Sequence, residues 1–473
     1  MKVRNPRTGD DDYEIAPATR ADVTQEAARL RAAQPAWRAL GAEGRADALR
    51  RWADAVDANA AAIVERLSVD TGRLAIARIE VMSVAGVMRR WAERAPGITA
   101  RLTTDDLPSA TLGVRLHRRA VPYQLFGTIA PWNFPLLLAL IDAIPALAAG
   151  CAALIKPSEV TPRFIPELRR TIEAVPELAA VTAVIEGDAG TGQALVDNVD
   201  YVCFTGSVAT GRKVAEAAAR AFIPANLELG GKDPMIVLAS ADPVQAAQVA
   251  LRASVAATGQ ACQSIERVYV DRRIAAPFVD ALAAAAKAVR LNYPDIGHGE
   301  IGPFIFAPQA DKVAEQIAEA VAGGARILAG GTVETLGGGK YLRPTVLTDV
   351  TPDMSIVRDE TFGPVIPVIV YDDVEAAIAQ ANDSIYGLSA AVIGDPAEAV
   401  RVAERLEAGA VSINDGSLTA GVWDAENSSF KQSGLGPSRM GDAGLVRFFR
   451  TQALIRQSGT PAPIAAYAEE GMS

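Results

Sequence analysis

The sequence predicts an α/β protein with two doubly wound parallel-sheet units and a small β-ribbon. Three observations lead there. The chain has 473 residues, too many for one ordinary hydrophobic core, so two or three structural units are expected. Short apolar, β-rich runs alternate with helical patterns in two separate blocks, and repeated β–α alternation makes a parallel sheet. Ahead of the first block, residues 113–130 alternate in the manner of an exposed antiparallel ribbon.

The elements follow in order. From Val23 to Arg94, Ala and Leu recur at three- and four-residue spacing, a helical pattern with candidate starts at Thr24 and Ser83. The first block reads as strand Ala152–Ile155, a helix over Arg163–Ala174, strand Ala180–Ile185, a helix over Gly192–Val196 and strand Tyr201–Phe204. The second block has strands at Met235–Leu238, Arg267–Val270, Arg326–Ala329, Val365–Val370 and Ala390–Ile393. Its helices fall at Pro243–Ala257, Ala275–Val289, Gln309–Ala322, Val374–Ala381 and Pro396–Leu406. Gly337-Gly338-Gly339 marks a turn or surface loop. The tail from Ser458 is expected to fray or to lie on a neighbouring subunit.

Composition narrows the chemistry. The net charge of -10 argues against a nucleic-acid partner, which needs a basic face. The N-terminus has no apolar signal region. The apolar stretch from Pro135 to Ile155 is interrupted by Asp142, Pro145 and Gly150, so it reads as helix, turn and buried strand rather than a bilayer span. A soluble cytoplasmic protein with no membrane partner is expected. Three widely spaced cysteines do not make a disulfide framework. Two histidines leave too few ligands for a usual zinc site, and neither sits in a hydrolase motif. No metal is expected.

Several motifs carry chemistry. Cys262 lies in Thr258-Gly259-Gln260-Ala261-Cys262-Gln263, a Gly-containing connection between helix and strand where a substrate can approach the backbone. A thiolate there is a strong nucleophile once its pKa is lowered. The alternative is a small core residue, which is how Cys151 and Cys203 read, in or beside apolar strands. Glu228 stands between two leucines and before Gly230-Gly231, and an apolar setting suits a carboxyl to general-base work. A strand-end Glu paired with Lys232 is the alternative. Phe204-Thr205-Gly206-Ser207 opens an Ala-rich helix, whose N-terminal N–H groups can meet a phosphate. Lys156-Pro157-Ser158-Glu159 ends a strand where Lys and Glu can bond ribose hydroxyls, and an acidic residue there favours a free 2′-hydroxyl. Pro131-Trp132-Asn133-Phe134-Pro135 is a rigid loop whose Asn amide can donate to an oxyanion. Each motif alone also has a structural reading, as packing anchor, cap or charged turn.

Taken in order, Asn133, Lys156, Gly206, Glu228, Cys262 and Glu360-Thr361-Phe362-Gly363-Pro364 resemble the aldehyde dehydrogenase superfamily. The resemblance runs from Asn5-Pro6-Arg7-Thr8-Gly9 to about Thr451-Gln452. It implies NAD-dependent oxidation of an aldehyde to a carboxylic acid, with NAD favoured over NADP. It makes Cys262 the nucleophile that forms a thiohemiacetal, with the Asn133 amide and the Cys262 N–H on the oxyanion. Hydride transfer then leaves a thioester, and Glu228 activates the water that hydrolyses it. Lys156 and Glu159 would hold the adenine-side ribose and Glu360 the nicotinamide ribose. Phe362 would pack near the nicotinamide, and Ser207 would meet the pyrophosphate. Trp132, Gly192, Thr205, Gly206, Gly211 and Leu229 complete the implied cofactor site.

The same resemblance implies an NAD-binding unit of residues 1–103 with 123–229 and a catalytic unit of 230–438. Residues 104–122 with 439–473 would form an oligomerisation element, giving a homodimer or a dimer-of-dimers tetramer. The substrate side is expected at Phe134, Leu138, Ile141, Asp142, Ala261, Gln263 and Asn427. An apolar tunnel lined by Phe134, Leu138 and Ile141 suits an aromatic or medium aliphatic aldehyde, and Asp142 is a candidate for a polar or cationic substrate end. The chain departs from the common pattern with Thr258 where many members carry Asn, with Ile141-Asp142 where some carry an aromatic and Lys, and with Asn427 in the place of a tunnel aromatic. Two alternatives remain: a CoA-acylating dehydrogenase, which generally lacks the Glu228 base, and a retired scaffold with a binding role.

Overall fold

The computed structural model describes residues 1–469, so the last four residues of the expected C-terminal element lie outside the described residues. The chain opens with four helices, Arg20–Ala39, Gly41–Ala58, Ala60–Thr71 and Leu74–Leu102. The first is started by Thr19, not Thr24. The Thr19 hydroxyl accepts from the Asp22 N–H, and the Asp22 carboxylate accepts from the Thr19 N–H in return. Ser83 starts nothing, because it lies inside the 29-residue helix Leu74–Leu102. That helix buries one continuous apolar face, including Val84, Met88 and Trp91, so no break is needed at Ser83.

The first sheet has six strands, ordered Gly434–Leu435, Ala225–Glu228, Tyr201–Thr205, Leu125–Ile129, Ala152–Lys156 and Thr182–Val184. The last five run parallel. Gly434–Leu435 comes from far along the chain and pairs antiparallel, with Gly434 opposite Glu228. The central strands Ala152–Lys156 and Tyr201–Thr205 are buried on both faces, which explains why they read as unbroken apolar runs. The apolar stretch from Pro135 folds as two short helices, Pro135–Leu140 and Ala143–Ala149, then a turn at Gly150 (φ +107°) into Ala152–Lys156.

The second sheet has seven strands, ordered Arg326–Ala329, Thr345–Thr348, Val365–Tyr371, Ile265–Asp271, Asp233–Val237, Ser389–Ile393 and Ala410–Ile413. Arg326–Ala329 departs from the expected parallel run, because it is an antiparallel edge strand against Thr345–Thr348. Two strands, Thr345–Thr348 and Ala410–Ile413, were not anticipated. The glycine run is the turn of a small hairpin, Val333–Leu336 with Gly339–Leu342. Gly337 and Gly338 both have positive φ there, as a tight two-residue hairpin turn requires.

A three-stranded antiparallel sheet joins Thr104–Pro108, Val114–Pro122 and Phe449–Gln457. The last of these strands is solvent-exposed along nearly its whole length. Among the described residues no helix is long and apolar enough to cross a membrane.

Candidate active site

A cavity of about 630 Å3 opens at the carboxyl ends of the first-sheet strands, the usual ligand position in an open parallel sheet. Its walls bring together residues from seven distant segments. Trp132, Asn133, Lys156, Glu159, Gly192, Thr205, Gly206, Ser207, Glu228, Leu229, Cys262, Glu360 and Phe362 all line it. Gly211 lies behind this wall rather than in it. A Cβ at Gly211 would meet the Leu229 side chain at 2.5 Å, so the glycine lets the helix Val208–Ala221 pack against Leu229.

The Lys156 ammonium lies 3.2 Å from Glu159 Oε2 at the exit of strand Ala152–Lys156. Ser207 caps the helix Val208–Ala221, its hydroxyl accepting from the Thr210 N–H. Cys262, Glu360 and an aromatic pair also line the cavity. The Trp132 and Phe362 rings meet edge to face with centroids 5.4 Å apart.

The segment that presents Cys262 is held under strain. Ala257, Thr258 and Gly259 are three successive left-handed residues, with φ of +53°, +63° and +66°. For Ala and Thr this conformation costs about 1–3 kcal/mol each. Buried ties oppose the cost. Arg73 donates to the Ala257 carbonyl at 3.0 Å, the Thr258 hydroxyl bridges the Gly302 backbone, and the Gln260 side chain bonds Ile305 N–H and Pro303 O. Thr258, where many relatives of the pattern carry Asn, is therefore a buried strut of this loop.

Asn133 is buried beside it. One N–H of its amide donates to the Gln260 carbonyl at 3.0 Å, which orients the group, and Arg73 grips its backbone carbonyl. Glu80 accepts the N–H groups of Leu136 and Leu137 at 3.1 Å each, fixing the helix that follows Asn133. Neither Arg73 nor Glu80 was singled out from the sequence.

Charge around Cys262 is unusual. Burial pushes its thiol up to about 12, Asp233 adds to this, and Arg439 opposes it. Burial, with Glu266 nearby, pushes the Glu360 carboxyl up to about 7. Glu228 does not sit in an apolar wall, as its leucine neighbours suggested. Its Oε2 accepts from Ser429 Oγ at 3.0 Å and its Oε1 lies 3.8 Å from Arg439 Nε. It is not paired with Lys232 either. That buried ammonium bonds Glu266 Oε2 at 2.8 Å and Thr361 Oγ1 at 2.9 Å, and the Glu266 carboxylate in turn accepts the N–H groups of Thr361 and Phe362 at 2.7 Å.

The residues expected on the substrate side fall in different places. Leu138 lines the cavity, but Phe134, Ile141, Asp142, Ala261, Gln263 and Asn427 do not. Asp142 is 1% exposed and is held by Arg439 and Arg447, so it has no free oxygen face for a cationic substrate. Ile141 is buried in the interior. The Phe134 ring lies beneath the Arg73 guanidinium, 5.3 Å from its centroid. Ala261 and Gln263 flank Cys262 and are half-buried. Asn427 is tied to its own loop through Ser438 and Ala425. Cys151 and Cys203 are buried, and burial pushes both thiols up. Among the described residues no three or more His, Cys, Asp or Glu side chains cluster as metal ligands would.

Comparisons with known proteins show the family. Residues 1–454 match the model of the aldehyde dehydrogenase family. Glutarate-semialdehyde dehydrogenase of Pseudomonas aeruginosa is 36% identical, over 92% of this chain and 90% of its own. A protein of Mycolicibacterium smegmatis, provisionally named a succinate-semialdehyde dehydrogenase (NADP(+)), is 35% identical over 94% of this chain and 87% of its own. Among solved structures, PutA from Anabaena variabilis superposes with a TM-score of 0.95 at 48% identity, covering 98% of each chain. Lactaldehyde dehydrogenase from Escherichia coli gives 0.91 at 32%, covering 97% and 95%. The chain therefore belongs to the aldehyde dehydrogenase family of NAD(P)-dependent oxidoreductases.

Proposed function

We propose that this enzyme oxidises an aldehyde to a free carboxylic acid through a thioester on Cys262, hydrolysed with Glu228 as general base. The observation that carries this reading is the convergence of Cys262, Glu228, Asn133 and Lys156 on one cavity from four separate segments. The cavity volume falls within the range of about 300–1,000 Å3 common for ligand sites. It offers a Lys–Glu pair for one ribose and Glu360 for the other. At Gly192 a Cβ would lie 3.7 Å from the Lys156 side chain, so the glycine keeps the wall beside that pair free of side chain. These residues fit a dinucleotide. NAD(P), when bound, supplies the hydride acceptor that turns a thiohemiacetal into a thioester.

The chain's own groups do the rest. Burial raises the Cys262 thiol, so it gives up its proton to solvent before the thiolate attacks the carbonyl. The Asn133 amide has one N–H held by Gln260 and a second left to donate to the oxyanion. Trp132 and Phe362 shield one side of the reaction space. After oxidation, Glu228 takes a proton from water as that water attacks the thioester, releasing the acid and restoring the thiol.

For the cofactor we propose NAD, on the Glu159 carboxylate beside Lys156, which repels a 2′-phosphate and accepts from a 2′-hydroxyl. The M. smegmatis relative is named for NADP(+), so the preference is a property to test in this chain. We assign residues 1–103 with 123–229 to cofactor binding, 230–438 to catalysis, and the exposed strand Phe449–Gln457 with its ribbon to self-association as a dimer or tetramer. Ile455, 71% exposed, is the most exposed large apolar residue of that strand.

The test is an NADH- or NADPH-release screen with both cofactors and a panel of aldehydes that includes aromatic, aliphatic and ω-carboxylated members. Cys262→Ala should abolish release and retain cofactor binding. Product identified as acyl-CoA, with no free acid, would overturn the hydrolytic reading. Release at the wild-type rate by Cys262→Ala would remove the nucleophile.

A further inference from the structure

Behind Glu228 lies a ring of buried charge that the chemistry above leaves unused. Arg439 donates through one terminal nitrogen to Asp142 Oδ2 at 2.9 Å and to Thr205 Oγ1 at 2.8 Å. Arg447 bonds the other oxygen of Asp142 and reaches Asn226 Oδ1 at 2.8 Å, two residues before Glu228 on the same strand. The Asn226 amide donates in turn to the Pro437 carbonyl at 2.7 Å, two residues before Arg439. Within this set one buried donor has no partner. Arg439 Nε is buried with no hydrogen-bond partner, and it lies 3.8 Å from Glu228 Oε1.

We propose that Arg439 is a positioning residue for Glu228: clamped by Asp142 and Thr205, it holds the general base through its Nε–H. This rests on the reading of Glu228 as the base. The geometry suits the task. A guanidinium has its donors in a fixed plane, so pinning one terminal nitrogen on Asp142 and Thr205 also fixes where Nε–H points. Ser429 secures the other carboxylate oxygen. The base is thus held at both oxygens by two segments of the C-terminal region, while strand pairing of Glu228 with Gly434 fixes its backbone. A buried, unpaired donor is costly, which biases Arg439 toward keeping that carboxylate near. Asp142 and then Glu228 keep the guanidinium charged against the effect of burial. Arg439 also eases ionisation of Cys262, so it reaches both reacting groups without lining the cavity.

The test compares the NADH burst and steady-state turnover of the wild type, Arg439→Gln, Arg439→Lys, Glu228→Gln and the double variant Arg439→Gln/Glu228→Gln, with the best aldehyde from the panel. Arg439→Gln should lower kcat about tenfold or more while the burst and the aldehyde KM persist, the signature of a slowed hydrolysis step. Arg439→Lys should recover part of the loss. In the Glu228→Gln background the second substitution should change turnover by less than about twofold, because residues acting as a unit are not additive. Should Arg439→Gln fail to fold, Arg439→Lys carries the test, with kcat reduced and the burst retained. Full additivity in the double variant, or loss of the burst together with turnover, would overturn the proposal while leaving the base in place. Wild-type turnover by Glu228→Gln alone would remove the base itself, and the proposal with it.

Discussion

The Lys232–Glu266 pair is the support of the Glu360–Phe362 segment, and Glu266→Gln is the sharpest way to probe it. Both side chains are buried, and the Glu266 carboxylate takes three hydrogen bonds, from the Lys232 ammonium and from the N–H groups of Thr361 and Phe362. A Gln amide offers one acceptor oxygen and turns an NH2 toward the other donors, so at least one buried N–H loses its partner. Lys232 also loses its counter-charge. Breaking a buried pair on one side costs about 3–5 kcal/mol. An upper bound comes from the lysine itself, which can escape by losing its proton. With a free-lysine pKa near 10.4 and about 1.36 kcal/mol per unit, neutralising it at pH 7 costs at most about 5 kcal/mol. Burial already pushes Lys232 down, so the true cost lies below that limit and shrinks as pH rises.

Three readings check this. The unfolding midpoint in urea should fall, and by less at pH 9 than at pH 7. Amide exchange at Thr361 and Phe362 should accelerate selectively. Cofactor affinity, followed by Trp132 fluorescence, should weaken about tenfold or more, since each 1.4 kcal/mol is a factor of ten. Unchanged exchange at those two amides together with unchanged cofactor affinity would show that Glu266 does not support the segment.

Other outcomes follow from the same contacts. Gly259→Ala places a Cβ 2.4 Å from the Gly363 backbone at a φ of +66°, so kcat should fall about tenfold or more as the Cys262 loop shifts from the Glu360–Pro364 segment. Wild-type kinetics in this variant would show the loop to be tolerant. Glu360 has its carboxyl raised to about 7, so it gains charge as pH rises through that value, and an ionised carboxylate accepts ribose hydroxyls more strongly. Cofactor dissociation constants should therefore fall between pH 6 and 8 and flatten in Glu360→Gln. A slope of the opposite sign would exclude Glu360 as the ribose acceptor. Asp142→Asn leaves Arg439 and Arg447 facing each other without their shared carboxylate, and unfolding experiments should register a loss of about 3–5 kcal/mol.

How far the sequence reveals this site depends on whether a residue's partner is close in the chain. Cys262 in its glycine connection, Glu228 before two glycines, and Lys156 at a strand exit each carry a local backbone signature, and all three line the cavity. Asp142 carries none. Its partners lie 297 and 305 residues away, so an ion pair that removes it from the substrate side leaves no trace in its own neighbourhood. Arg439, Ser429 and Arg73 escape notice for the same reason. A signal for Arg439 was present, since two arginines eight residues apart follow Ser433-Gly434-Leu435-Gly436, but charge near a C-terminus usually means a solvated surface. Local rules also misplace the first helix. Its capping partner is Asp22 rather than the Glu or Gln of the common box, and Thr24 instead bonds back to the Arg20 carbonyl within the helix. The antiparallel edge strand Arg326–Ala329 shows the limit of alternation as a guide, because periodicity reports burial and not strand direction.

The most direct measurement is the mass of Glu228→Gln after mixing with an accepted aldehyde and NAD. On the proposed mechanism hydrolysis is the step this variant lacks, so one equivalent of NADH should appear in a burst and the protein should gain one acyl group. Peptide mapping should place that group on Cys262, with Cys151 and Cys203 unmodified in the interior. Continuous turnover with no acyl adduct, or an adduct on any other residue, would contradict the assignment of nucleophile and base.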